Sequence, residues 1–271
     1  MKKGQSNRLT TQHKISQGVV GIFGDNAKHH DLSVGEIEEK TLELLKTEFD
    51  ILTFRYRTKI NKEEVNEKLK MVDPELGQAL YVSNASFKPD GGVIEVKDKN
   101  GNWRIILVSE AKHQGKDIEN IKNGKLVGSN NNQDLMAAGN AIERSHKNIA
   151  EIANLMLCES HFPYILFLTG SNFLTETINV TRPDGRVVEL VYNSGMLNRI
   201  DRLTAANYGM PLNTNLCKNR LINLGTHSMM LQATSIFTQG NGEKWDPEEM
   251  LRIMLDVAKT SINILSNDLP K

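Results

Sequence analysis

Cysteine is scarce in this chain: two in 271 residues, Cys158 and Cys217, neither part of a C-x-x-C pair. That is too few for a disulfide framework, and a reduced, cytoplasmic setting is the expectation. Net charge is also missing. The 33 basic and 33 acidic residues cancel, so no global positive field draws in a polyanion, and a nucleic-acid partner would have to be held by local clusters. Long apolar runs are absent. The most apolar stretch, Tyr164 to Leu168, falls far short of the ~20 residues that span a bilayer. The N-terminus lacks the apolar core of a signal peptide, so no membrane partner is expected. No G-x-S-x-G, H-E-x-x-H, P-loop or kinase signature occurs, which leaves no motif for a nucleotide cofactor. The seven histidines are scattered and read as surface or core residues rather than metal ligands.

No repeat, low-complexity tract or Pro/Gly linker divides the chain, and the length suits one large domain or two small ones. Residues 1–24 carry Lys2, Lys3, Arg8 and Lys14 without an acid, a basic arm that either seeks phosphate or is merely solvated. Ser33 and Glu36 read as a capping box ahead of Ile37, Leu42, Leu44 and Leu45. Asn61 and Glu64 read as a second, ahead of Val65, Leu69 and Val72, with Asp73-Pro74 as the stop. Strand formers occupy Ile51 to Arg57, Ala79 to Ser83, Val93 to Lys97, Trp103 to Ser109 and Tyr164 to Thr169. A longer helix is expected within Asn140 to Cys158, a hairpin around Pro183-Asp184-Gly185, and a last helix from Pro247 with Leu251, Met254, Leu255, Ala258 and Ile262 on one face. Helices and strands interleave, so a single α/β domain is expected.

One constellation carries chemistry. Asp90 follows Pro89, and Glu110-Ala111-Lys112 comes 20 residues later. Aspartate and glutamate offer hard oxygen ligands for Mg²⁺. A lysine two residues beyond the glutamate on a strand shares its face, where it can orient or deprotonate a water and offset charge on a phosphoryl oxygen. The chain also holds decoys. Pro183-Asp184 has no E-x-K after it, and Glu95-Val96-Lys97 on one continuous strand would put Glu95 about 16 Å from Asp90 at ~3.3 Å per residue.

Hairpin arithmetic supports the first pair. With Lys99-Asn100-Gly101 as a three-residue loop and Gly101 left-handed, pairing obeys i + j = 200. Ile94 then faces Ile106 and Asp90 faces Glu110, about 5 Å apart on one face. Ile94, Ile106 and Val108 would floor the site. A slip of one residue would destroy the convergence. Opposed carboxylates repel, which is a reason to expect a cation between them. On spacing alone the residues suit either a metal-dependent phosphodiesterase or an ordinary hairpin with solvated ends.

Pro89-Asp90 with Glu110-Ala111-Lys112 resembles the PD-(D/E)XK nuclease motif. The surrounding text is more specific: Ser109 to Asp117, Gln133 to His146 and Arg202 to Pro211 resemble the EcoRI family of type II restriction endonucleases, with similarity from Gln5 into the final helix. The resemblance implies a restriction-endonuclease-like α/β fold, a single domain over 1–271 with a central mixed five-stranded sheet flanked by helices, and the basic arm at about 1–15. It implies Asp90, Glu110 and Lys112 as catalytic residues, with Asp90, Glu110 and the carbonyl of Ala111 on the metal. Met136, Ala137, Ala138, Gly139, Asn140 and Ala141 match a segment running along the major groove. Asn140, Glu143 and Arg144 match residues that read base edges, and Arg199 and Arg202 match a second recognition pair. It further implies a homodimer that uses Mg²⁺ to cut double-stranded DNA at GAATTC, leaving 5′-phosphate ends. Thr58, Ser129 and Asn130 depart from the family pattern, as does the chain beyond Leu265.

The residue types agree with those roles: Asn can read adenine, Arg guanine, and Glu an exocyclic amino group. Taken without the resemblance, Glu143, Arg144, Arg199 and Arg202 suit a solvated or salt-bridged surface equally. Lys88 and Lys116 are candidate DNA-backbone contacts. Two rivals are distinguishable by experiment. A sequence-specific DNA-binding protein would bind without cutting, and a small-molecule metal hydrolase would have no affinity for duplex DNA.

Overall fold

The computed structural model describes residues 25–75, 85–127, 130, 132–135, 141–191 and 217–271, with backbone alone at 25–33, 141–146, 218 and 229–231. Its elements run, in chain order, helix α1 (Asp25–Glu48), β1 (Phe54–Arg57), β2 (Ile60–Asn61), helix α2 (Lys62–Val72), β3 (Ser86–Phe87), β4 (Gly92–Lys97), β5 (Trp103–His113), helix α3 (Asp117–Lys122) and helix α4 (Ala141–Leu155). They continue through β6 (Tyr164–Thr169), β7 (Ile178–Thr181), β8 (Val187–Leu190), β9 (Lys218–Leu224), β10 (His227–Ala233), β11 (Ser235–Thr238) and helix α5 (Pro247–Ile264).

The central sheet has five strands in the order β1-β4-β5-β6-β11. The β1–β4 and β4–β5 pairs are antiparallel, whereas β5–β6 and β6–β11 are parallel. The sheet is therefore mixed and flanked by helices, the α/β class that the interleaved sequence pattern predicts, with the mixed five-stranded sheet that the resemblance implies. Two apolar cores line its faces. On one side Ile94, Ile106, Leu107, Ala111, Ile165 and Phe167 pack with Leu45 of α1 and with Met254 and Ala258 of α5. On the other, Val93, Val108, Tyr164, Leu166 and Leu168 pack with Val65 of α2 and with Ile149 and Ile152 of α4. Burial on both faces explains why β6 reads as a continuous apolar run instead of alternating.

The helix ends follow local chemistry. In α2, Asn61 and Glu64 form a capping box and Asp73 ends the helix; the stripe stops at Val65 and Leu69, because Val72 is exposed. In α5, the Asp246 side chain caps the Glu249 amide and Pro247 opens the helix. Helix α1 starts at Asp25, ahead of the Ser33–Glu36 box expected to begin it. The sequence pattern does not predict the short β2–β3 pair, helix α3, the β9–β10 hairpin or the four-residue edge strand β11. The expected strand Ala79 to Ser83 and the basic arm lie outside the described residues. Among the described residues, no helix is long and apolar enough to cross a membrane.

Register between β4 and β5 corrects the hairpin arithmetic. Next to the turn, Lys97↔Trp103, Val96↔Arg104 and Glu95↔Ile105 obey i + j = 200, and Gly101 is left-handed at φ 87°. Between Ile94 and Glu95 the ladder slips, and Ile94↔Leu107, Val93↔Val108 and Gly92↔Ser109 then sum to 201. Ile106 is the extra residue of a β-bulge, so Ile106 and Leu107 enter the same core beside Ile94. Glu110 is thus not directly opposite Asp90. Nor do Ile94 and Ile106 floor the carboxylates, since they lie across the sheet from Val108, which does share that face.

Candidate active site

Asp90 and Glu110 still converge. Beyond the bulge, Val108, Glu110 and Lys112 alternate onto the face covered by α4, while Ser109 and Ala111 turn toward α1 and α5. Asp90 reaches the same face from the segment before β4, through Gly91 and Gly92. Gly92 is left-handed, at φ 105°, and a Cβ there would meet the Tyr56 ring at 2.6 Å and the Arg57 carbonyl at 2.9 Å. Only glycine fits that bend.

The Lys112 ammonium bridges the two acids, bonding Asp90 Oδ2 and lying 2.7 Å from Glu110 Oε1. Glu110 is fully buried, and both its oxygens are engaged. Oε1 also accepts from Asn148 Nδ2 at 3.2 Å, and Oε2 accepts from the Tyr164 hydroxyl. Asn148 donates as well to the Lys88 carbonyl at 3.2 Å, tying α4 to the segment that carries Asp90. Asp90 is half-buried and so keeps access to solvent.

Burial sets the electrostatics. It pushes the Glu110 carboxyl up from its ordinary range against the pull of Lys112, and Asp90 adds to the rise. For Lys112, burial acts downward, but the charges of Glu110 and Asp90 outweigh it and hold the ammonium protonated. Burial and then the Glu110 charge drive the Tyr164 hydroxyl well above its usual value, so it remains a donor. The site is thus a buried carboxylate and a half-buried one gathered around a single positive charge. Two hard oxygen donors with one side open to water match what Mg²⁺ takes from proteins, one or two carboxylates plus retained waters. Among the described residues no three His, Cys, Asp or Glu side chains cluster, so these two carboxylates are the side-chain donors the site offers.

The other expected site residues fall as follows. Ala111 is fully buried in the opposite core, its side chain away from the acids. Lys88 is exposed beside Asp90, and Lys116 is half-buried at the start of α3. Ala141, Glu143 and Arg144 lie at the start of α4 with side chains outside the described residues, and Met136, Ala137, Ala138, Gly139, Asn140, Arg199 and Arg202 lie outside them altogether. The decoy Glu95 is buried against Arg55 and Arg57, a structural pair. A cavity of about 510 Å³ lies nearby, lined by Arg55, Glu95, Arg104 and Glu159 among others; within it Arg55 pairs with Glu95 and Arg104 with Glu159.

Sequence reasoning missed Asn148 and Tyr164. Asn148 carried no signal, being one polar residue on an amphipathic helix. Tyr164 had a faint one, a hydroxyl at the mouth of an otherwise apolar strand, which must find a partner once buried.

Comparison with known proteins identifies the family of the chain. The family profile Restriction endonuclease EcoRI matches residues 16–271. Type II restriction enzyme EcoRI of Escherichia coli is 66% identical over 267 residues, covering 98% of this chain and 96% of the relative. Type II restriction enzyme RsrI of Cereibacter sphaeroides is 51% identical over the same length and coverage. The chain belongs to the EcoRI restriction endonuclease family and is a type II restriction endonuclease.

Proposed function

We propose that the enzyme is a homodimer that hydrolyses double-stranded DNA at GAATTC in the presence of Mg²⁺, leaving 5′-phosphate ends, with Asp90, Glu110 and Lys112 as its catalytic residues. The observation that carries this reading is the meeting of two carboxylates at one ammonium, on a sheet face closed by α4 and open beside Asp90. Asp90, Glu110 and the Ala111 carbonyl would hold the metal ion. When bound, that ion supplies Lewis acidity toward a phosphoryl oxygen and lowers the pKa of water. Glu110, held by Tyr164 and Asn148, fixes one side of the site and excludes solvent from it. Lys112, protonated between the acids, has Nζ placed to donate to the attacking water or to a non-bridging phosphate oxygen. Asp90 faces the open side, where the scissile phosphate would enter, and the exposed Lys88 beside it would seat the backbone with Lys116.

Recognition would come from Met136, Ala137, Ala138, Gly139, Asn140 and Ala141 along the major groove, from Glu143 and Arg144, and from Arg199 and Arg202. Two identical subunits reading a palindrome put one catalytic cluster on each strand. In this reading residues 1–271 form one domain, the arm at about 1–15 adds backbone charge, and the protein works in the cytoplasm.

Incubation with a plasmid bearing one GAATTC site tests the whole reading. Linear product with Mg²⁺ and none with chelator is expected. Glu110→Gln should bind the same duplex and leave it uncut; normal turnover by that variant would refute the catalytic assignment.

A further inference from the structure

Behind the carboxylates, on the α1 side of the sheet, lies a third acid that the reaction as described does not use. Glu38 of α1 is fully buried. Its Oε2 accepts from the Ser109 hydroxyl, and its Oε1 has no hydrogen-bond partner among the described residues. A buried, half-satisfied carboxyl is costly, and its position shows what it does for the site. Ser109 directly precedes Glu110. Gly91 directly follows Asp90, and a Cβ on Gly91 would collide with Ser109 Oγ and with Glu38 Oε2 at 2.6 Å. The Glu38 carboxyl therefore occupies the space that a side chain at position 91 would fill. It wedges against both segments that carry the catalytic acids, at their junction. The same junction is closed by the Gly91 amide donating to the Ser109 carbonyl at 3.0 Å and by the Tyr56 hydroxyl donating to the Gly91 carbonyl at 2.6 Å.

We propose that Glu38, acting through Ser109 and Gly91, is a positioning residue that sets the separation of Asp90 and Glu110 and thereby the affinity of the site for its divalent cation. This rests on the carboxylate pair being the metal site. Groups that orient metal-binding carboxylates from behind typically contribute about 10–100-fold to metal affinity. Glu38 touches neither the reacting atoms nor the open face, so its loss should leave DNA affinity without cation unchanged.

The test uses Ca²⁺ titrated into the full-length protein with a fluorescent GAATTC duplex, read as the gain in binding affinity, together with the Mg²⁺ dependence of cleavage. Glu38→Ala should move both half-saturation points upward at least 10-fold, with turnover at saturating Mg²⁺ and cation-free binding within about twofold of wild type. Glu38→Gln keeps the acceptor and the shape and should return both points to within about threefold of wild type. A merely structural Glu38 would lower the melting temperature and leave the cation midpoints where they were, and that result overturns the proposal. Should Glu38→Ala not fold, Ser109→Ala removes the contact with almost no change in volume and should shift both midpoints in the same direction; unchanged midpoints again overturn it. Glu110→Gln is the control for the underlying reading. If it keeps the full Ca²⁺ response, the carboxylate pair is not the metal site, an outcome separate from any result at Glu38.

Discussion

Replacing Glu38 by glutamine should make the enzyme more stable at alkaline pH, and the size of the gain follows from the burial of one carboxyl. Burial raises Glu38 from 4.5 to about 8, against a smaller opposing effect of the Ser109 hydroxyl. The native state therefore keeps a proton that the unfolded chain releases above pH 4.5. Where the native state binds more protons, stability falls with rising pH. The contribution of Glu38 is thus complete below the unfolded value and is lost as pH climbs through about 8. Each pH unit inside that window costs about 1.4 kcal/mol, so the loss between pH 5 and pH 8 comes to roughly 3–4 kcal/mol. The carboxyl is fully buried, so solvent does not screen the effect. An amide at the same position has no proton to lose. Urea unfolding of wild type and Glu38→Gln at pH 5, 6, 7 and 8, at one protein concentration, measures the difference directly. The two stabilities should diverge steadily in favour of the variant. Parallel curves across that range would refute the assignment of a neutral, buried acid.

Other changes probe the neighbouring contacts. Tyr164→Phe removes the donor to Glu110 Oε2 and should raise the Mg²⁺ half-saturation of cleavage by about 10–100-fold, measured by initial rates across a Mg²⁺ series. Gly92→Ala forces a Cβ into the Tyr56 ring at a left-handed position, so unfolding midpoint and cleavage should fall together, at a cost above about 1 kcal/mol. Arg182 is buried, donates to the Gly124 carbonyl and to Asp134 at 2.6 Å each, and so ties the β7–β8 hairpin to the loop leading toward the proposed base-reading segment. Arg182→Ala should destabilise by about 3 kcal/mol in urea unfolding and reduce discrimination between GAATTC and single-base variants in competition cleavage. Arg144→Ala should relax that discrimination without loss of stability; an equal weakening toward all DNA would make Arg144 a phosphate contact instead.

The elements with strong local chemistry were legible in the sequence. Asn61 and Glu64 cap α2, Asp246 and Pro247 open α5, and Tyr164 to Thr169 forms a strand with the predicted bounds. What the sequence hid was decided by tertiary partners. Strand β11 is only Ser235–Thr238, too short for any period to emerge, and it exists because β6 offers it a parallel edge. The start of α1 lies ahead of the strongest local cap. Within the site, the two acids and the lysine were legible by spacing because they lie on the two arms of one hairpin, close together in the chain. Tyr164 and Asn148 lie 54 and 38 residues beyond Glu110, where only the folded sheet and α4 bring them back.

The bulge at Ile106 shows why the register drawn from the Lys99-Asn100-Gly101 turn holds beside the turn and is off by one beyond it, while the motif residues still converge. Had the hairpin kept i + j = 200 throughout, every residue of β5 beyond Ile106 would face the other way relative to the core actually seen. Glu110 and Lys112 would then point into the layer of α1 and α5, among Leu45, Met254 and Ala258, with no Tyr164 or Asn148 to receive them. Ser109 and Ala111 would instead occupy the face beneath α4. Inserting one residue reverses that parity after the turn has already fixed the pairing nearer the loop. The Gly91-Gly92 bend then redirects Asp90 by the matching amount on the other strand, which is why convergence survives a slip that should have abolished it. Bulge and bend are complementary deformations, and the separation of Asp90 and Glu110 depends on both. Glu38 packs where the two meet, so a carboxyl that touches neither acid would, on the proposal above, govern how tightly the site holds a divalent cation.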